Sequence, residues 1–293
     1  MGKRPLILLL VLALLLSAGC HLNPEEEKPG RLLAVATIFP VGDILTNLGG
    51  TSITLVTLLP PGASPHTYEP RMEQVKAVSS ADLFIYVGAG LDDWALKLTA
   101  AGSPARVLEL SSQINLEEGS PPGTDPHLWL DPVIVREQLC PLLVEELVRL
   151  LPERERKFRS NLTIYQEQLA RLDQEIRRAT SALRRRKFIS MHSAWTYFAQ
   201  RYNLQEVAAV TLSPGQEPSA ARVTEVIELA IEQDVGAILA EPQLPTRLAE
   251  RIAEESGCKL FIADPLGGSR LPGRDSYLGL MRYNLDLFRQ ALN

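Results

Sequence analysis

Three of the chain's four histidines, His66, His127 and His192, stand in segments suited to presenting a ligand atom. His66 lies in "PPGASPHTYEP", where four prolines fix the backbone and remove donors, so the segment must run at the surface or line a cleft. His127 lies in "TDPHLWLD" and His192 in "SMHSAW". A neutral imidazole offers one ring-nitrogen lone pair, which suits a divalent transition metal. No local ligand pair such as His-Glu-x-x-His occurs, so any shared site must be assembled by the fold. The fourth histidine, His21, sits in "HLNPEEEKPG", whose polar, charged composition reads as a flexible tether.

The elements that must position these side chains are legible as apolar runs. "LLAVAT", "ITLVTLL", "LFIYVGAG" and "ARVLEL" are the near-continuous apolar segments of buried parallel strands, and the stretches between them carry helical periodicity. A second set follows Leu150: "KFISMH", "LQEVAAVTL", "VGAILAEP" and "CKLFIAD". The fold class is α/β. "PGASPHTYEPRMEQVKAVSSADLFIYVGAG" and "SPGQEPSAARVTEVIELAIEQDVGAILAEP" share one order of loop, Glu-Pro element, amphipathic helix and strand. That internal likeness argues for two similar α/β lobes with mainly parallel sheets, at residues 31–151 and 187–293, in place of one large mixed sheet.

Residues 152–186 join them as one long rigid helix without internal Pro or Gly, with Phe158, Leu162, Tyr165, Leu169, Leu172 and Ile176 recurring at three and four. Such a helix reaches about 45 Å, enough to cross both lobes. Its basic end, Arg184 to Lys187, suits a helix C-terminus and a solvated face. Each of the three histidines follows a strand or sits in a Pro-containing loop, near the C-terminal sheet edge where open α/β sheets bind ligands.

The first residues are of another kind. Lys3 and Arg4 precede "PLILLLVLALLLSAGC", an apolar run of signal-peptide length, so residues 1–19 read as a signal peptide and 20–30 as a lipid-anchored flexible tether. "LSAGC" resembles a bacterial lipobox in which Cys20 is acylated, although Leu16 stands four residues before the cysteine. The expected product is exported and held at the cell membrane, on its extracytoplasmic or periplasmic face, by lipidated Cys20. Removing residues 1–19 takes away two cations and no acids, shifting the formal charge from −5 to −7. A mildly acidic exported domain argues against nucleic acid as a partner. Cys140 and Cys258 are too isolated to suggest a metal site and read as small buried hydrophobes.

"PHTYEP", "DPHLWLDP", "HSAWTYFAQRY" and "ADPLGG" occur in the order seen in the cluster A-I solute-binding proteins, which deliver zinc or manganese to ABC importers. The chain resembles that family over nearly its whole length from Arg31. The resemblance implies two α/β lobes joined by a rigid helix, with the metal between them held by His66, His127, His192 and the aspartate of "ADPLGG", Asp264. It implies a permease and its ATPase as partners of a monomeric receptor. Three imidazoles and one carboxylate favour zinc, with manganese the alternative, because manganese prefers more oxygen ligands. Glu69 or Glu241 could compete with Asp264 for the fourth place, as could water.

The histidine-rich loop common in zinc carriers of this family has no counterpart, since "SSQINLEEGSPPGTDPH" holds no histidine before His127. Trp129, Trp195 and Tyr197 follow two of the ligand motifs and read as core, and "GLDDWAL" resembles a family segment to which no chemistry is assigned. Affinity is expected to fall as pH drops through the histidine range near 6.5, because protonated imidazole cannot coordinate. Two rival functions stay open on the residues: a zinc-dependent hydrolase with Glu69 or Glu241 as base, and a surface adhesin.

Overall fold

Among the described residues, eight short strands form two separate four-stranded sheets with the same winding. The first holds β1 (Leu32–Ala36), β2 (Ile53–Thr57), β3 (Leu83–Tyr86) and β4 (Val107–Glu109) in the order β2-β1-β3-β4. The second holds β5 (Lys187–His192), β6 (Gln205–Thr211), β7 (Ala237–Ala240) and β8 (Lys259–Ile262) in the order β6-β5-β7-β8. All pairings are parallel. The internal repeat of the sequence is thus a repeat of topology, second strand, first, third, fourth in each half. This computed structural model describes residues 30–100, 102, 106–115, 125–211, 215 and 217–293. The signal peptide and Cys20 lie outside the described residues.

Parallel strands must be covered on both faces, which is why they carry so little polarity. β3 and β7 are buried at every position. The first sheet is flanked by α1 (Phe39–Gly49) and α2 (Met72–Ser79), and the chain then passes into α3 (Cys140–Leu150) through one helical turn and a π-turn. The second carries α5 (Thr196–Arg201), α6 (Ala220–Glu232), α7 (Arg247–Ser256) and α8 (Tyr277–Ala291).

Between the sheets, α4 spans Glu155–Ser181, 27 residues, after a 3₁₀ turn at Pro152–Arg154. That is about 40 Å. Its stripe of Phe158, Tyr165, Leu169, Leu172 and Ile176 is fully or almost fully buried. Near its start Asn161 donates to the Leu48 carbonyl of the first lobe, and further on Tyr202 of the second lobe donates to Asp173.

The helix stops five residues before Arg186, the end read from the sequence. Tertiary pairing takes those residues instead. The Arg185 amide donates to Leu292 and the Arg186 carbonyl accepts from Gln205, which opens the β5–β6 ladder. The largest apolar cluster runs from β1 through Trp129 and α4 to Trp195, Phe198 and Phe288 and so joins the two lobes, while each sheet has a smaller cluster of its own, around Phe84 in the first and Ile238 in the second; residues 31–293 form one compact unit.

Candidate metal centre

All three histidines stand at the C-terminal edges of the sheets. His66 is on the loop after β2. The loop is pinned by the Trp94 indole, which donates to the Pro65 carbonyl at 2.7 Å, and by Tyr68 packed against the same indole. "GLDDWAL", to which the sequence assigned no role, therefore anchors a candidate ligand loop through Trp94. His127 follows β4 and opens the 3₁₀ turn Leu128–Leu130. Asp125 fixes it from two residues upstream, accepting from both its backbone amide at 3.0 Å and its ring Nδ1 at 2.8 Å. His192 is the last residue of β5, a central strand, and its Nδ1 meets Glu241 at 2.7 Å, just past the end of the neighbouring β7.

The three rings converge with centroids 4.8 to 5.5 Å apart, and each offers a nitrogen within 4.8 Å of the other two. His127 and His192 are almost wholly buried, at 3% and 2% exposure, while His66 is partly exposed at the rim. The space they enclose with Ser64, Pro65, Trp129, Glu241, Gln243, Pro265 and Leu266 amounts to about 10 Å³, room for one atom of water size.

Electrostatics keeps His66 and His127 ready to donate lone pairs. Burial, reinforced by the neighbouring imidazoles, pushes His66 down from 6.5 to about 3. Burial also lowers His127, against the opposing pull of Asp125. The sequence reading set the loss of lone pairs near 6.5, and desolvation moves it lower for both residues. A carboxylate only accepts, so Asp125 and Glu241 place the proton of each ring on Nδ1 and leave the Nε2 lone pair facing the cavity. His192 Nε2 is buried without a hydrogen-bond partner among the described residues.

Asp264 is positioned differently. It lies two residues beyond β8, fully buried, with its carboxylate engaged by four donors: the Leu266 and Gly267 amides at 3.0 Å, the Gln243 amide at 2.8 Å and Arg274 at 2.7 Å. It is not among the groups gathered within 4.8 Å. Glu69 is exposed. The contribution of Asp125 could have been read from its place two residues before His127. Nothing local announced that of Glu241, Gln243 or Arg274, whose partners are tens of residues away or around a turn. Cys140 and Cys258 are buried free thiols.

The lobes are stitched beside the cluster. Trp129 donates to the Pro265 carbonyl at 2.8 Å, Tyr277 to the Trp129 carbonyl at 2.7 Å and Tyr197 to the Asp125 carbonyl at 3.1 Å. Arg201 pairs with Asp131 at 2.7 Å. Trp129 and Trp195 are fully buried, as core residues should be.

Two like α/β lobes with a small, nitrogen-lined pocket between them define a two-lobed binding protein. The chain belongs to the zinc-uptake complex component A periplasmic family, whose family model matches residues 34–291. It is 28% identical over 308 residues to the zinc-binding lipoprotein AdcA of Streptococcus pneumoniae, covering 99% of this chain and 61% of that protein. The chain therefore spans less than two thirds of that relative's length. It is also 28% identical to the manganese-binding lipoprotein MntA of Halalkalibacterium halodurans, over 95% of each. Among solved structures it is similar to the periplasmic zinc-binding protein TroA of Treponema pallidum, with a TM-score of 0.80, 27% identity and coverage of 89% and 99%. No helix among the described residues is long and apolar enough to cross a membrane.

Proposed function

We propose that the protein captures a divalent transition metal, zinc in preference to manganese, between its two lobes and passes it to an ABC-type membrane permease and its ATPase. The observation that carries this reading is the convergence of His66, His127 and His192 from both lobes on a buried space the size of one atom. Family membership supports it, and the relatives named for zinc and for manganese frame the choice of metal.

Nitrogens on a tetrahedral zinc stand about 3.3 Å apart. A small inward shift of the rings would therefore complete three of its bonds. The fourth place we assign to Asp264, which would exchange its Gln243 contact for the ion. Four protein ligands close the shell, as in a binding site and unlike a hydrolytic one, which keeps a position for water. Of the two bases a hydrolase reading offered, Glu241 is already paired with His192 and Glu69 is exposed. We further propose that Cys20 carries a lipid anchor and that the mature chain acts as a monomer at the membrane surface.

A competitive titration of the metal-stripped protein with zinc and manganese, beside a His66→Ala variant, tests the reading. One tight zinc site, weakened in the variant and not displaced by excess manganese, supports zinc capture. Equal binding of both metals shifts the assignment to mixed uptake, and no tight site removes it.

A further inference from the structure

Three neutral imidazoles contribute no charge, so a divalent ion placed among them brings two positive charges into a buried site. Unbalanced buried charge is costly. Asp264 does not supply the balance, because its carboxylate is already matched by the Arg274 guanidinium at 2.7 Å. Two other carboxylates stand at the outer ring nitrogens: Asp125 at 2.8 Å from His127 Nδ1 and Glu241 at 2.7 Å from His192 Nδ1. One belongs to each lobe. Both are sheltered, with side chains 12% and 6% exposed. We infer that Asp125 and Glu241 are positioning residues that neutralise the captured metal from outside its coordination shell, one from each lobe, and thereby set its affinity.

This inference rests on the metal-capture reading above. A carboxylate on Nδ1 does two things at once. It holds the ring in the tautomer and orientation that aim Nε2 at the ion, and it feeds electron density through the ring to the coordinating nitrogen. Because these two charges stay outside, they add no oxygen to the inner shell, which keeps its three imidazole nitrogens beside Asp264, a set that suits zinc. The ion is balanced only when both lobes are in place around it, since each supplies half of the compensating charge.

The test compares wild type, Glu241→Gln, Asp125→Asn and the double variant as metal-free proteins. Gln and Asn keep an acceptor oxygen for Nδ1 and remove the charge. Zinc affinity by competition with a chromophoric chelator should fall about 10–100-fold for each single variant, and further for the double. The ligand-field absorption bands of the cobalt-loaded proteins should shift, a readout that loosened packing far from the ion would not move. Glu241→Asp keeps the charge and should recover part of the loss even if the Gln variant folds poorly. Wild-type zinc affinity and an unshifted cobalt spectrum in both neutral variants would overturn the inference while leaving metal capture standing. A wild-type protein without a tight zinc site would overturn both.

Discussion

The Trp129 indole donates to the carbonyl of Pro265 at 2.8 Å, joining the residue two beyond His127 to the residue next to Asp264. One hydrogen bond thus ties the ligand turn of the first lobe to the β8 loop of the second. Both indole and carbonyl are buried, and Tyr277 closes the same corner by donating to the Trp129 carbonyl. With α4 braced against both lobes, this corner leaves the cleft room for small adjustments and not for a wide hinge.

Replacing Trp129 by Phe keeps an aromatic ring and strands the Pro265 carbonyl. A buried acceptor left without its donor costs about 1–3 kcal/mol. Urea denaturation of the metal-free Trp129→Phe protein should show a loss of that size. Stability equal to wild type would mean that the bond does not hold the lobes.

Asp264 carries a separate structural duty whatever it does toward metal. Its removal leaves the Arg274 guanidinium, 20% exposed, without its partner and frees two amides of the β8 loop. Breaking a largely buried pair from one side costs about 3–5 kcal/mol, so Asp264→Ala should destabilise the metal-free protein by about 3 kcal/mol in the same assay. A variant as stable as wild type would contradict the arrangement of donors around Asp264.

The metal-free fold should be sensitive to acid. The unfolded chain takes up a proton on His66 near 6.5, while the folded chain resists until about 3, and His127 is lowered in the same direction. Because the unfolded state binds protons first, stability is fully present above 6.5 and is lost as pH falls toward 3. Melting temperatures of the metal-free protein across that window should drop, and His66→Ala should flatten part of the drop. A profile identical in the two proteins would show that His66 is not held neutral by burial.

Much of this was legible in the sequence because its physics is local. Buried parallel strands advertise themselves as unbroken apolar runs, and all eight runs became strands of two like sheets. The place of the histidines at the sheet edge was legible for a similar reason, from their Pro-rich or strand-terminal surroundings, whereas their joining into one ligand set was implied by the family resemblance. The end of α4 was not legible, because "SALRRRK" holds no breaker; the helix stops at Ser181, and Arg185 and Arg186 beyond it find partners at Leu292 and Gln205. Nor was the setting of Asp264, fixed by Gln243 and Arg274 from separate loops, or the pairing of His192 with Glu241, 49 residues apart and brought together only by the adjacency of β5 and β7.

The most direct test of the central claim is anomalous diffraction at the zinc edge from crystals of the zinc-loaded protein. The account predicts a single strong peak between the lobes, about 2.0–2.1 Å from one nitrogen each of His66, His127 and His192. A peak elsewhere, or none in that cleft from protein shown to carry stoichiometric zinc, would contradict it.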